Sequence, residues 1–191
     1  MRRLIFATNN KHKVEEVRAA LNGIVEIVTL SEAGLSGEIP ETADTLQGNA
    51  LQKASWVWER THTDCFADDT GLEVDALGGA PGVYSARYAG KHCSFDDNID
   101  KLLAALDGES NRKACFRTVI CLIENGEPRY FEGRVDGTIL TERYGADGFG
   151  YDPIFMPDRF AVSFAEMPLE VKNMISHRGL AVKQLVEYLL K

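Results

Sequence analysis

Apolar residues recur along this chain in two rhythms, continuous short runs and spacings of three and four. Leu4-Ile5-Phe6-Ala7 is uninterrupted and predicts a buried strand over Arg3 to Thr8. Asn9-Asn10-Lys11 then turns into a helix with Val14, Val17 and Leu21 on one face. Glu26 to Leu30 reads as a second strand, and Ser31 to Thr45, with Pro40 and several acids, as a loop. Leu46, Ala50, Ala54, Val57 and Trp58 form the apolar stripe of a helix from about Leu46 to Arg60. Cys65-Phe66-Ala67 predicts a short buried strand that ends at Asp68 and Asp69, and the glycine-rich stretch from Gly71 to Gly82 a tight turn. Ser94 is placed to cap a helix through Leu106, with Asp97 in its first turn. Strands follow over Lys113 to Glu124 and Arg129 to Thr138, joined by the hairpin signal Asn125-Gly126. Gly145 to Pro157 reads as a Gly/Pro/aromatic loop, and Val182, Leu185, Val186 and Leu189 as one face of a terminal helix.

Strands alternating with helices, together with an antiparallel hairpin, predict an α/β fold with a mixed sheet. The 191 residues suffice for one domain, and no linker divides them; two lobes around one cleft remain compatible with this. No apolar run reaches the roughly 20 residues of a membrane span. The apolar run after Met1-Arg2-Arg3 is too short for a signal peptide. Cys65, Cys93, Cys115 and Cys121 form no Cys-x-x-Cys pair, and Cys65, Cys115 and Cys121, in apolar stretches, read as reduced core thiols of a cytoplasmic protein. A net charge of −8 argues against a nucleic-acid partner, whose affinity comes from Lys and Arg. An anionic ligand would need local basic residues and a divalent cation to reverse the field.

Five constellations meet parts of that condition. Thr8-Asn9-Asn10-Lys11-His12-Lys13 lies at a strand-to-helix turn, where free N–H groups, the helix dipole and two lysines suit phosphate oxygens. It is not a P-loop, and an Asn cap with solvated lysines would have the same sequence. Asp68-Asp69-Thr70-Gly71-Leu72-Glu73-Val74-Asp75 places four carboxylates at a strand end, a common way to hold Mg²⁺. Strand alternation sends Asp68 and Asp69 to opposite sides, so Asp69 is the functional candidate and Asp68 either a strand-end brace or a solvated turn residue. Asp69-Thr70-Gly71 also spells an aspartic-protease tripeptide, but such a site needs two copies and this chain has one, so that reading requires a dimer.

Lys53 falls on the apolar stripe of its helix, one turn after Asn49. A charge there is costly unless paired, so Lys53 either points toward Asp69 or a phosphate, or snorkels at the stripe's edge. Phe149-Gly150-Tyr151-Asp152-Pro153 could stack on a base and bond its edge, or could be a loop pinned by buried aromatics. Ser176 reads as the N-cap of the last helix, which puts His177 and Arg178 in its first turn against the dipole; with Lys172 they are either donors to a ligand or a solvated helix junction.

In these ordered motifs the chain resembles the inosine triphosphate pyrophosphatase family. The resemblance runs nearly end to end, through Thr8-x-Asn10-x-x-Lys13, Ala67 to Tyr88, Phe149 to Pro153 and Ser176-His177-Arg178. It implies an elongated mixed sheet flanked by helices, two lobes around a central cleft, and a homodimer. It also implies Mg²⁺-dependent hydrolysis of ITP, dITP and XTP to the monophosphate and pyrophosphate. By position, Asp69 would be the general base and a metal ligand, with Glu41 the second metal ligand. Thr8, Asn9, Asn10, Lys11, His12, Lys13, Lys53 and Thr70 would hold the triphosphate. Phe149, Gly150, Tyr151, Asp152, Lys172, His177 and Arg178 would hold the nucleoside. The chain departs from the family in carrying Gly48 where an acid usually precedes the Asn of the second helix, and Thr70 where Ser is usual. Two other readings use the same residues: a binding module without turnover, and a hydrolase with another base preference.

Overall fold

The computed structural model describes residues 2–191. Its seven-stranded sheet has the order β2-β1-β3-β5-β6-β7, with β4 pairing β3. The strands are β1 (Arg2–Phe6), β2 (Val25–Val28), β3 (Cys65–Val74), β4 (Pro81–Gly82), β5 (Lys113–Glu124), β6 (Glu127–Ile139) and β7 (Phe155–Pro157). β1 pairs in parallel with β2 and β3, whereas β3–β4 and β6–β7 are antiparallel, so the sheet is mixed as the alternation of elements implies. Among the described residues five α-helices accompany it: α1 (Lys11–Leu21), α2 (Leu46–Thr61), α3 (Phe95–Ala105), α4 (Leu169–Ile175) and α5 (His177–Leu189).

Local signals set many of the element ends. The Asn10 side chain caps α1 by accepting from the Lys13 N–H, and Thr45 caps α2 through the Gly48 N–H. Ser94 and Asp97 close a reciprocal capping box on α3. Asn125, at φ 51°, and Gly126, at φ 85°, make the two-residue turn from β5 to β6.

Three expectations need correction. The strand at Cys65 does not end at Asp69 but continues past Glu73 to Val74, and Asp75, the fourth acid, opens a 3-10 turn (Asp75–Leu77) that leads to β4. Ala67, Asp68, Asp69, Leu72 and Val74 are buried along it, so Asp68 and Asp69 lie in a sheet interior rather than a solvated turn, while Glu73 is half-buried and Asp75 exposed. The loop from Gly145 to Pro157 contains a 3-10 turn and ends in β7, which pairs β6. A short helix, α4, precedes the terminal helix and had no periodic signal long enough to predict it.

Residue contacts divide the chain into two compact units, with boundaries inside β3, β5 and β6. One takes in the chain up to Asp69, Thr118–Gly133 and His177–Lys191. Its core joins Leu4 and Phe6 of β1, Val14, Val17 and Leu21 of α1, Phe66 of β3, and Val182 and Leu185 of α5. Phe6 and Phe66 stack at 4.4 Å in this core. Gly133 of β6 lets α5 approach closely, since a Cβ there would lie 1.9 Å from the His177 carbonyl oxygen. The other unit, Thr70–Arg117 and Arg134–Ser176, packs Leu72, Ile99, Leu102, Phe116, Phe155 and Phe164 among others.

Candidate active site

Neighbouring carboxylates of β3 serve different partners. Asp68 is 1% exposed. Its Oδ1 accepts from Lys13 Nζ at 2.9 Å and its Oδ2 from Arg178 Nε at 3.0 Å. Arg178 is itself buried and also donates through Nη1 to Glu16 of α1. Glu16, Arg178, Asp68 and Lys13 thus form one chain of buried ion pairs joining α1, β3 and α5. Burial opposes the Asp68 charge, yet Lys13, Arg178 and Lys53 outweigh it and hold the carboxyl far below its ordinary pKa. Burial lowers the Lys13 pKa in turn, while Asp68 and Glu16 carry that of Arg178 upward against desolvation.

Asp69 belongs to a second cluster. Its Oδ2 accepts from Asn49 Nδ2 at 3.1 Å, and its Oδ1 lies 3.4 Å from Lys53 Nζ. Lys53 donates to Glu41 Oε1 as well, so Glu41 and Asp69 converge on one ammonium. The side chain of Lys53 is 7% exposed; the paired alternative to a snorkelling lysine is what the structure shows. Burial works against its charge, but Asp69, Glu41 and Asp68 prevail and raise its pKa. Burial raises the Asp69 pKa, with Glu41 adding to the effect and Lys53 and Lys13 opposing it.

Asn49 carries more of this cluster than its sequence neighbours imply. Buried on α2, it also accepts from the Ala43 N–H at 2.9 Å. One amide therefore fixes Asp69 and the segment after Glu41 together. The signal for it was its place one turn before Lys53 on the same helix face. Glu16, by contrast, looked like an ordinary polar helix position.

The two carboxylates suit a hard cation. Among the described residues no group of three His, Cys, Asp or Glu forms a ready-made metal site. Two convergent carboxylates nevertheless match Mg²⁺, which commonly takes one or two protein carboxylates and completes its shell with water and phosphate. The ammonium already held between Glu41 and Asp69 shows that a cation fits there.

Of the phosphate-binding candidates, Lys13 reaches the Asp68 cluster, Asn10 caps α1, and Thr8 Oγ1 accepts from the Asn10 N–H. Asn9, Lys11 and His12 lie at the surface of this turn, with His12 4.0 Å from Glu15. Thr70 follows Asp69 in β3 and is half-buried.

The base-binding candidates of the second unit form their own cluster. Asp152 Oδ2 accepts from the Phe149 N–H at 2.9 Å and from Lys172 Nζ at 2.7 Å. The same ammonium lies 5.1 Å from the Phe149 ring centre, a cation–π distance. Gly148 lies so close to Asp152 that a Cβ would fall 2.2 Å from its Oδ2. Tyr151 is buried and donates its hydroxyl to the Ser85 carbonyl at 2.7 Å, so this aromatic pins the loop, while Phe149 stays half-buried beside Gly150. His177 is buried in the first unit at the start of α5. The cysteines are free, and burial pushes the Cys65 and Cys121 thiols up to about 12 and Cys115 up to about 11, which removes them as nucleophiles.

A mixed α/β protein with two acids converging on a cation, beside buried basic residues, has the makings of a phosphate-chemistry centre. The Ham1 family profile matches residues 4–188, and the chain belongs to that family. It is 59% identical to a dITP/XTP pyrophosphatase of Porphyromonas gingivalis, over 100% of this chain and 98% of that one. A dITP/XTP pyrophosphatase of Flavobacterium johnsoniae is 52% identical, over 98% and 97% of the two chains. The solved structure of a HAM1 protein from Coxiella burnetii superposes with a TM-score of 0.90 at 38% identity, covering 100% of this chain and 99% of that one.

Proposed function

We propose that this protein hydrolyses ITP, dITP and XTP to the monophosphate and pyrophosphate in a Mg²⁺-dependent reaction, clearing them from the nucleotide pool. The observation that carries the reading is the convergence of Glu41 and Asp69 on one cationic position beside Lys13 and Asp68. The relatives named dITP/XTP pyrophosphatase support the substrate class. The whole chain, 1–191, serves this one activity, in the cytoplasm and as a homodimer. No helix among the described residues is long and apolar enough to cross a membrane.

Glu41 and Asp69 would hold Mg²⁺, which when bound offsets the triphosphate charge and polarises the attacked phosphorus. Asp69 orients water and takes its proton. Its raised pKa strengthens it as a base, and such a role contributes roughly 10²–10⁴-fold. Asn49 fixes the Asp69 carboxylate, so the proton acceptor is positioned before substrate arrives. Lys13 and Lys53 stabilise charge developing on phosphate oxygens, and the Thr8–Lys13 turn and Thr70 position the triphosphate. In the second unit Asp152 and Lys172 fix the loop that presents Phe149 to the base. His177, Arg178 and Lys172 belong to the recognition of the 6-keto purine. A donor aimed at a 6-keto oxygen is left unpaired opposite the amino group of adenine, a mismatch that can discriminate by roughly 10⁴–10⁵-fold.

The test is incubation with ITP, XTP, dATP, dGTP and dUTP, with and without Mg²⁺, measuring pyrophosphate and orthophosphate separately. Pyrophosphate from ITP and XTP alone, and only with the metal, is expected. Orthophosphate alone, or equal rates on all five, overturns the reading.

A further inference from the structure

Lys53 occupies the position that the two acids of the site share. Its ammonium bonds Glu41, lies 3.4 Å from Asp69, and is buried on the apolar stripe of α2. Asp69 cannot turn away freely, because Asn49 holds its other oxygen. Glu41 lies on the segment that Asn49 ties down at Ala43. Both carboxylates are thus fixed around a cation that the chain itself supplies.

We propose that Lys53 is an internal counter-ion which keeps the Glu41–Asp69 pair closed to a divalent cation until a triphosphate draws the ammonium away. The proposal rests on the Mg²⁺-dependent reading above. The physical ground is mutual exclusion. A divalent ion bound by Glu41 and Asp69 would stand against a buried ammonium, and like charges at such range repel strongly where water is scarce. In the free protein, Lys53 compensates two acids that would otherwise repel each other. Once a polyanion arrives, Lys53 gains acceptors outside the pair and the carboxylates become available. Metal and nucleotide then favour each other's binding, and by linkage the coupling is reciprocal. The role differs from that of a lysine which merely touches phosphate, since it predicts how the protein treats metal with no nucleotide present.

The experiment titrates Mn²⁺ into nucleotide-free protein and follows unbound Mn²⁺ by electron paramagnetic resonance. Lys53→Met should bind Mn²⁺ on the order of 10- to 100-fold more tightly than wild type. Lys53→Arg, which keeps a cation, should stay near wild type. Adding Glu41→Gln to Lys53→Met should remove the gain. Equal affinity in wild type and Lys53→Met overturns the counter-ion role. A parallel titration with an α,β-methylene analogue of ITP separates the two claims, since absence of any protein-bound ternary complex in wild type overturns the metal-dependent reading itself. Nuclear magnetic resonance of the wild-type Lys53 ¹⁵Nζ group is independent of whether the variants fold. Mg²⁺ with the analogue should shift that signal, and an unmoved signal overturns the proposal.

Discussion

Asp68 and Asp69 are consecutive in β3, yet their carboxylates take different hydrogen-bond partners. Asp68 takes Lys13 and Arg178, whereas Asp69 takes Asn49 and Lys53. The two-residue period of a strand separates them, and buried partners from α1, α5 and α2 then fix each one. One acid is tied into a chain of ion pairs that joins three elements. The other keeps company with Glu41 and a single lysine, and its pKa moves in the opposite direction.

The division predicts different consequences for the two acids. Asp69→Asn should lower kcat by roughly 10²–10⁴-fold, the range of a lost general base. It should leave nucleotide binding measurable by calorimetry, and thermal stability near that of wild type, because the amide is isosteric and Lys53 keeps Glu41. Full turnover in this variant would remove Asp69 from the role of base.

Arg178 and Glu16 should matter to folding and not to recognition alone. Glu16→Ala leaves a buried guanidinium with one fewer acid, and breaking a buried pair in this way costs about 3–5 kcal/mol. Arg178→Met should cost a similar amount. The double variant should lose less than the sum, since the two residues share one interaction. Denaturant unfolding of all four proteins measures this. If Arg178 served only a ligand, Glu16→Ala would leave stability unchanged.

These pairings also explain which parts of the molecule were legible in its sequence. The α2 stripe with Lys53 on it, the Asn10 and Ser94 caps and the Asn125-Gly126 turn are local signals, and each element stands where they point. The course of β3 past Asp69 was not legible. Adjacent acids followed by a glycine read locally as a strand end, while the cations that permit burial of Asp68 lie 55 and 110 residues away. Glu16 was missed for the same reason, its partner being 162 residues distant. A segment as short as α4 is set by tertiary packing and not by propensity, so the helix carrying Lys172 gave no sequence signal.

Acid should probe Asp68 through stability. Its folded pKa lies below an unfolded value of about 3.9. Such a group contributes stability that is full above the unfolded pKa and is lost as pH falls toward the folded one. Unfolding free energy should therefore drop as pH falls below about 4. Asp68→Asn should start from lower stability at neutral pH and show a shallower slope in that window. Glu32 acts in the same direction at the surface, its pKa lowered to about 2 by the Thr29 N–H, the Thr29 hydroxyl and Arg18. Its share, unlike that of Asp68, should shrink in high salt. Urea titrations followed by circular dichroism across this range, at two salt concentrations, check both statements.

Gly48 offers the last test, because it immediately precedes Asn49 on α2 and donates its N–H to the Thr45 cap. A Cβ at this residue would lie 2.7 Å from the Ala43 Cβ and 2.9 Å from Thr45 Oγ1. Helix propensity alone would favour Gly48→Ala by roughly 0.8–1 kcal/mol. The collision opposes this, and the atoms that must yield are not flexible. Ala43 is held by Asn49, which also holds Asp69, and Thr45 caps α2 through the Gly48 N–H. Displacing Ala43 therefore disturbs the Asp69 carboxylate through one shared amide. A weakened hydrogen bond to a charged group is worth about 1.5–3 kcal/mol, or roughly 10- to 100-fold in rate. Gly48→Ala should lower both melting temperature and kcat, and adding Ala43→Gly, which removes the opposing Cβ, should restore most of the activity. Recovery of stability without recovery of kcat would show that Asn49 does not transmit the displacement to Asp69.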